Sequence, residues 1–450
     1  MKLKEVLGLS NAKLIIGNEQ DELTHFSKDT RTIKENDTYI AIIGENFDGN
    51  NFFKDAFLKG AKTCIVSSIS SDENLEKYRD KNILLVDNTI DFLVEVAKLK
   101  RSKIQVPVIA VTGSVGKTST KNLIASVLEQ KYSVLKTQGN LNTKIGLALT
   151  ILNYQNEECI VLEMGMSQFG EISTLTNIAK PTIAVITNIG TSHIGNLGSR
   201  ENILKAKLEI TEGLNGPLLI NNDNDLLHEW KDEEKKQEII TFGIEETSDY
   251  QAKDIKYLTD GCSFRIKNYQ FHLPVYGDAF IYNSLVAFII GEKLNVSYEN
   301  IASALNNIPT EEHRMQKIET NGYIIIDDTY NASFDSIRLA LDVLSNSSGR
   351  KIAVLGDILE LGDFSRKIHE DIGSLIVKKN IDLLVTVGPM AKYINEKAKS
   401  LGFSINKSYH FDNNKDAIQF LKETRKAKDI ILVKASHGMN FKEIVEGLHE

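Results

Sequence analysis

Cysteine, proline and tryptophan are scarce in this chain, at 3, 6 and 1 of 450 residues. Cys64, Cys159 and Cys262 lie far apart with no C-x-x-C pair, which excludes a disulfide framework and predicts reduced core thiols in a reducing compartment. No apolar run is long enough to span a bilayer: the longest, Ala279 to Ile290, is short and contains Asn283 and Ser284. The first residues, Met1 to Leu7, place charges inside their apolar pattern and lack a cleavage signature, so they do not read as a signal peptide. There is no Lys/Arg tract and no aromatic-basic interleaving, and the net charge is −8. Binding to nucleic acid is thereby disfavoured, although one small phosphate ligand is not. The expectation is a cytoplasmic protein with no membrane insertion.

What is present is an ordinary globular composition, 42% hydrophobic and 25% charged, spread over a length that exceeds a single core. The stretch that organises the chain is Val108-Ile109-Ala110-Val111-Thr112-Gly113-Ser114-Val115-Gly116-Lys117-Thr118-Ser119, followed by the helical pattern Asn122 to Leu128. An apolar β-branched strand runs into a glycine turn and then a helix. In that order backbone N–H groups can close on phosphate oxygens at the positive end of the helix, Lys117 can reach the β- and γ-phosphates, and Thr118 can hold magnesium. The loop is a shortened T-G-x-x-G-K-T, because Val111 stands where the full phosphate-loop pattern has its first glycine.

Residues 1–104 carry strand candidates Thr38 to Ile43 and Thr63 to Val66 and a helical stretch Phe52 to Gly60, a small α/β unit that ends at the seam Gln105-Val106-Pro107. Two polar clusters in it, Ser27 to Arg31 and Gly44 to Asn50, sit beside apolar runs where loops carry function. Residues 105–312 read as a parallel α/β unit with strands near 159–163, 181–187, 217–221 and 238–242, a meander over 250–275 and a helix over 283–294. Glu163 and His193 emerge just past the C-terminal ends of two of these strands, which is the ligand edge of such a sheet. A helix capped by Ser199 follows, whose lysines read as a solvated face. Residues 313–450 repeat the alternation, with strands near 323–326, 351–355, 382–387 and 430–433, and predict a second doubly wound, Rossmann-like sheet.

Taken together, Thr112 to Lys121, Thr137-Gln-Gly-Asn-Leu-Asn142, Leu162-Glu-Met-Gly-Met166, Thr187-Asn-Ile-Gly190 with Ser192-His193, Ala206-Lys207, Asp327-Asp-Thr-Tyr-Asn-Ala332 and Leu355-Gly-Asp-Ile-Leu-Glu-Leu-Gly362 resemble the ATP-dependent Mur ligases along the whole chain. The resemblance implies a UDP-sugar-binding N-terminal domain (1–104), a central ATP-binding ligase domain (105–312) and a C-terminal domain (313–450). It implies that ATP and Mg2+ activate the free carboxylate of UDP-N-acetylmuramoyl-tripeptide as an acyl phosphate, and that the amine of D-alanyl-D-alanine attacks it. Lys117, Glu163, His193 and Lys207 are the catalytic set it implies, with Thr118, Glu163, His193 and a carbamylated Lys207 on the metal. Nucleotide contacts are implied for Gly113, Ser114, Val115, Gly116, Lys117, Thr118, Ser119, Asn283, Arg314, Asp328 and Asn331. Substrate contacts are implied for Ser27, Asp29, Thr30, Arg31, Phe47, Asp48, Gly49, Asn50, Asn140, Asn142, Lys434 and Ser436.

The chain departs from the family's pattern at Asn50, where relatives usually have histidine, at Ser333-Phe334 in place of Asn-Pro, and at Ala435 and His437 in the late Lys-Gly-Ser-Arg pattern. Rival readings are a folylpolyglutamate synthase or cyanophycin synthetase of the same mechanism, a phosphate-loop kinase or GTPase, and a nucleotide-binding scaffold without turnover. A monomer is expected, since single-chain catalysis needs no partner.

Overall fold

The computed structural model describes residues 1–234, 236–258, 261–275, 277–308, 312–320 and 322–449. Among them three sheets form. Strands β1 to β5 (Lys13–Ile16, Phe26–Ser27, Thr38–Ile40, Thr63–Val66, Asn82–Leu85) make the first, ordered β1-β5-β4-β3-β2, parallel except for the β1 edge. The second runs β14-β13-β12-β11-β10-β9-β6-β8-β7 and is built from β6 (Val108–Thr112), β7 (Val134–Lys136), β8 (Cys159–Glu163), β9 (Ile183–Ile186), β10 (Leu218–Asn221), β11 (Ile239–Gly243), β12 (Tyr250–Leu258), β13 (Gly261–Ile266) and β14 (Tyr269–Leu273). Its strands are parallel up to β12, and the last three form an antiparallel meander. The third runs β15-β16-β20-β17-β18-β19, from β15 (Gln316–Glu319), β16 (Ile324–Asp327), β17 (Arg350–Gly356), β18 (Leu383–Val387), β19 (Ser408–Phe411) and β20 (Asp429–Lys434), parallel except for the β15 edge.

The parallel strands are buried on both faces, which is why they read as continuous apolar runs. In β6, Val108 and Ala110 pack on the side of helices Thr89–Ser102 and Lys144–Leu152, while Ile109 and Val111 face helices Lys117–Leu128 and Asp278–Lys293. In β17 the same alternation sends Ala353 and Leu355 toward helices Phe334–Asn346 and Ser365–Lys378, and Ile352 and Val354 toward Asn414–Thr424 and Lys442–His449. The third sheet is thus doubly wound. The N-terminal unit is tied to the central one by Arg101, whose buried guanidinium donates to the carbonyls of Ala179 and Lys180, and by Asn153, whose side chain bonds both backbone groups of Phe26.

Element extents differ from expectation in a few places. The strand expected over Thr38 to Ile43 ends at Ile40, because Ile43 bridges Asp48 in a turn. The helix expected over 52–60 is a 3-10 turn, Gly49–Phe52, followed by Phe53–Leu58. The helix expected from Asn283 begins at Asp278, so Asn283 lies inside it rather than at its start. The helix Arg200–Leu208 is capped by Ser199 as expected, but only Lys205 is solvated; Lys207 is buried.

Candidate nucleotide and ligase site

The C-terminal end of β6 turns at Gly113 and Gly116 into the helix Lys117–Leu128. Both glycines are required by geometry. Gly113 has φ +150° and a Cβ there would lie 1.8 Å from Thr187 Oγ1, while Gly116 caps the helix with φ +81°. The Asn188 side-chain oxygen accepts the N–H groups of Ser114 and Val115 at 3.1 and 3.0 Å, and the Thr187 hydroxyl donates to the Val115 carbonyl at 2.6 Å. The loop behind β9 therefore shapes the phosphate loop, a role that the sequence placed at the right edge but did not specify.

Two lysines meet on one carbonyl. Lys117 Nζ donates to Gly113 O at 2.8 Å, and Lys207 Nζ, from the last turn of helix Arg200–Leu208, donates to the same oxygen at 3.0 Å. Lys207 is 1% exposed, and burial, with the nearby Lys117 charge adding to it, holds its amine well below the usual lysine range. Burial also lowers Lys117, against the opposing charge of Glu163.

Glu163 ends β8, where its side chain is 2% exposed and Oε1 accepts from Asn142 Nδ2 at 2.8 Å. Its other oxygen, Oε2, is buried without a hydrogen-bond partner among the described residues; Lys121 Nζ stands 3.9 Å away and donates to Thr137 O. A buried carboxylate oxygen left in that condition is costly unless something else binds it. His193 sits in a left-handed conformation (φ 63°) before the short helix Ile194–Leu197, and its Nδ1 lies 2.7 Å from Glu360 Oε2 of the C-terminal unit. Burial pushes this imidazole below its usual range, and Glu360 opposes the shift.

From the C-terminal unit, Lys434 is buried and donates to Asp328 Oδ2 at 2.5 Å and to Asn331 O at 2.8 Å. The Arg314 guanidinium lies 3.8 Å above the Tyr330 ring. Asn283, inside its helix, accepts the Thr120 hydroxyl proton at 2.9 Å. These groups surround one cavity of about 1510 Å³ between the central and C-terminal units, larger than a nucleotide alone needs. Ser114, Val115, Gly116, Lys117, Thr118, Ser119, Asn140, Asn142, Glu163, His193, Asn283, Arg314, Asp328, Asn331 and Lys434 line it.

The other expected residues are not brought to that wall. Lys207 and Gly113 lie just behind it, joined by their mutual hydrogen bond. Ser436 is buried and accepts the Leu359 N–H at 2.9 Å. Ser27, Asp29, Thr30, Arg31 and the loop Phe47 to Asn50 belong to the N-terminal unit, away from the cavity lining. There Asp29 pairs with the exposed Arg31, which holds its carboxyl down at about 2, and Phe47 is 56% exposed.

Comparison with known proteins gives a consistent picture. Residues 111–291 match the model of the Mur ligase middle domain, and residues 313–437 that of the Mur ligase glutamate ligase domain. The UDP-N-acetylmuramoyl-tripeptide--D-alanyl-D-alanine ligase of Bacillus subtilis is 38% identical over 441 residues, 96% of this chain and 94% of that protein. A crystal structure of MurF from Acinetobacter baumannii superimposes with a TM-score of 0.89 at 29% identity, covering 100% of this chain and 98% of that one. The MurF ligase of Thermotoga maritima, solved in complex with ADP, gives 0.83 at 29% identity over 95% and 97% of the two chains.

Proposed function

The chain belongs to the Mur ligase family, and from that premise we propose that it uses ATP to join D-alanyl-D-alanine to UDP-N-acetylmuramoyl-tripeptide, forming the pentapeptide precursor of peptidoglycan. The observation that carries the reading is the single cavity in which the phosphate loop, the unpartnered Glu163 oxygen and the C-terminal Asp328–Lys434 pair face one another.

In this reading a carboxylate oxygen of the tripeptide attacks the γ-phosphorus of ATP and the bond to ADP breaks, leaving an acyl phosphate. The amine of D-alanyl-D-alanine then attacks the acyl carbon; the carbon–oxygen bond breaks, phosphate leaves and the amine gives up a proton. The protein's part is positioning and charge compensation. Lys117, which rests on Gly113 O, swings to the β- and γ-phosphates, and the loop amides follow the shape that Asn188 imposes. Asn283 and Arg314 meet the base end of the nucleotide, and Asn140 and Asn142 meet the substrate carboxylate. Ser27, Asp29, Thr30, Arg31 and Phe47 to Asn50 take the uridine nucleotide.

The residues present fit a magnesium ion. Glu163 Oε2 is a buried acceptor with no donor among the described residues, and the Thr118 hydroxyl is on the same wall. Magnesium is commonly held by one or two carboxylates together with waters and substrate phosphates, so this carboxylate and hydroxyl would be enough to hold it. When bound, magnesium neutralises the charge that builds on the transferred phosphoryl group. His193 completes the set, steered by Glu360 through Nδ1.

Lys207 is proposed to react with CO2: the neutral amine attacks the carbon, an N–C bond forms as one C=O π bond opens to a carboxylate oxygen, and a proton leaves, turning a buried amine into a carboxylate-like acceptor. A carbamate signal on Lys207 in 13C NMR after addition of labelled bicarbonate supports this, and its absence in an active enzyme refutes it. The assay for the function is phosphate release from ATP with UDP-N-acetylmuramoyl-tripeptide, with and without D-alanyl-D-alanine. Release that requires both supports the reading; release supported by a folate or a glutamate acceptor instead overturns it.

A further inference from the structure

Asp335 belongs to none of the motifs that carry the family resemblance. It is the second residue of the helix Phe334–Asn346, where a carboxylate is favoured by the helix end, and Ser333 caps that helix. Its side chain crosses to the central unit. Asp335 Oδ2 accepts the Thr191 backbone N–H at 2.9 Å and the Thr191 hydroxyl proton at 3.3 Å.

The segment that it grips is wired to the phosphate loop. The Gly190 N–H donates to Ser114 Oγ at 2.8 Å, the Ser192 hydroxyl donates to the Ser114 carbonyl at 3.2 Å, and Asn188 holds the Ser114 and Val115 amides. The approach is close enough that a side chain at 190 would have to displace the Asp335 carboxylate. A Cβ on Gly190 would lie 2.1 Å from Asp335 Oδ2 and 3.3 Å from Ser114 Cβ. Gly190 is not among the positive-φ glycines, so it is this contact, rather than backbone conformation, that favours glycine.

We infer that Asp335 is a positioning residue that couples docking of the C-terminal unit to the shape of the phosphate loop, through Gly190 to Ser192. Its effect on turnover rests on the ligase reading above; its effect on docking and nucleotide affinity does not. Losing the shorter of the Thr191 hydrogen bonds to this charged acceptor by itself predicts a loss of roughly ten- to a hundredfold.

The test uses the full chain and the variants Asp335→Ala, Asp335→Asn, Gly190→Ala and the double variant Gly190→Ala/Asp335→Ala. Steady-state phosphate release, ADP affinity by calorimetry and compaction by small-angle scattering with nucleotide are measured. Asp335→Ala is expected to lower kcat/KM for ATP by about ten- to a hundredfold and to reduce compaction, with KM for the muramoyl substrate changed by less than about twofold. Asp335→Asn, which keeps the shape and one acceptor, falls between it and the wild type. Gly190→Ala alone is as damaging, but costs far less when added to Asp335→Ala, because the colliding oxygen is gone; this non-additivity is the signature of direct coupling.

Unchanged ATP kinetics, ADP affinity and compaction in Asp335→Ala overturn the inference. So does a Gly190→Ala effect that is equal in both backgrounds, or a variant that loses only thermal stability. If the wild type shows no ligase turnover, the functional reading fails alone, and ADP affinity and compaction across the same variants still decide the role of Asp335.

Discussion

Replacing Lys207 by methionine should stabilise the protein while removing its activity. Lys207 is 1% exposed, and among the described residues its amine bonds Gly113 O, which Lys117 also serves at 2.8 Å. Lys207→Met therefore leaves no carbonyl orphaned and keeps the length of the side chain. Because the fold depresses the pKa of this base, the folded state binds fewer protons than the unfolded chain at every pH between the lowered value and 10.5. Stability contributed by this site thus rises with pH, by at most about 1.4 kcal/mol per unit, and is lowest in acid. Against the loss of one hydrogen bond of about 1 kcal/mol, exchanging the buried amine for an apolar chain is worth ~1–4 kcal/mol at pH 7. Trp230, the single tryptophan, lies on the central-unit helix Asp225–Glu233, so its fluorescence during urea unfolding reports on this unit. In buffer freed of CO2, Lys207→Met should unfold at higher urea than the wild type at pH 7, the two curves converging as the pH approaches 10. Bicarbonate should stabilise the wild type and leave the variant unmoved, since it binds only where the amine is present. A variant less stable at pH 7, with a pH dependence parallel to that of the wild type, would mean that Lys207 is charged and favourable in the fold, and the reasoning would fail.

Three further outcomes follow from the same geometry. Gly195→Ala puts a Cβ 2.6 Å from the Glu360 carbonyl oxygen and 2.7 Å from the Gly362 nitrogen, both backbone atoms that cannot rotate away. An overpacking cost of ~1–3 kcal/mol falls on docking of the C-terminal unit, so scattering should show an expanded particle and phosphate release should slow about tenfold, with the Trp230 urea midpoint unchanged. Glu163→Gln keeps an acceptor for Asn142 but removes the charge, and should cut phosphate release by about a hundredfold or more while ADP binding, read by calorimetry, changes little. His369 is fully buried, its Nε2 accepting the Ile358 N–H at 3.1 Å and its Nδ1 donating to Ser365 O at 2.7 Å, and burial depresses its pKa below 6.5. The folded state therefore takes up fewer protons below pH 6.5 and loses stability as the pH falls; hydrogen exchange at the Ile358 amide, corrected for intrinsic rate, should lose protection between pH 7 and 5.5, and a flat profile would refute the assignment.

Much of the architecture was legible because parallel strands covered on both faces must carry apolar runs through their middles, as Val108 to Val111 of β6, Ile352 to Leu355 of β17 and Ile430 to Val433 of β20 do. The strands that escaped notice are short or lie at edges: β2 is only Phe26–Ser27, β7 is half-buried, and β15 alternates with Lys317 and Glu319 outward. Their pairing is supplied by neighbours rather than by their own composition. The same distinction governs the site. Lys117 and Glu163 announce themselves at strand ends, but Asn188 acts on the phosphate loop from 73 and 74 residues away and Asp335 acts on Thr191 from 144. Only the folded chain brings them together.

At Asn50, Ser333 and His437, where the chain departs from the family's pattern, the residue present has a hydrogen-bonding role of its own. Asn50 is buried, donating to Asp48 Oδ1 at 2.8 Å and accepting the Ser67 N–H at 2.9 Å, so it pins the loop on which Phe47 stands exposed. Ser333 takes over the start of the helix Phe334–Asn346 with a reciprocal capping box to Ser336, a job proline at the next position would do by fixing φ. That choice leaves a backbone N–H at 334 and an ordinary first turn, the turn from which Asp335 reaches Thr191. His437 uses its backbone N–H to bond Asn331 Oδ1 at 3.3 Å, while its ring stands 6.1 Å from that of Tyr330. The contact that holds the Asn331 side chain in the cavity wall is thus a main-chain one and does not depend on the side chain at 437. Permanent positive charge at this edge comes instead from Arg314, stacked on the ring of the same tyrosine. On the C-terminal side of the cavity the helix cap at Ser333 and the main-chain bond at His437 set the backbone, whereas Asp328 and Lys434 hold each other as a charged pair whose two members need each other.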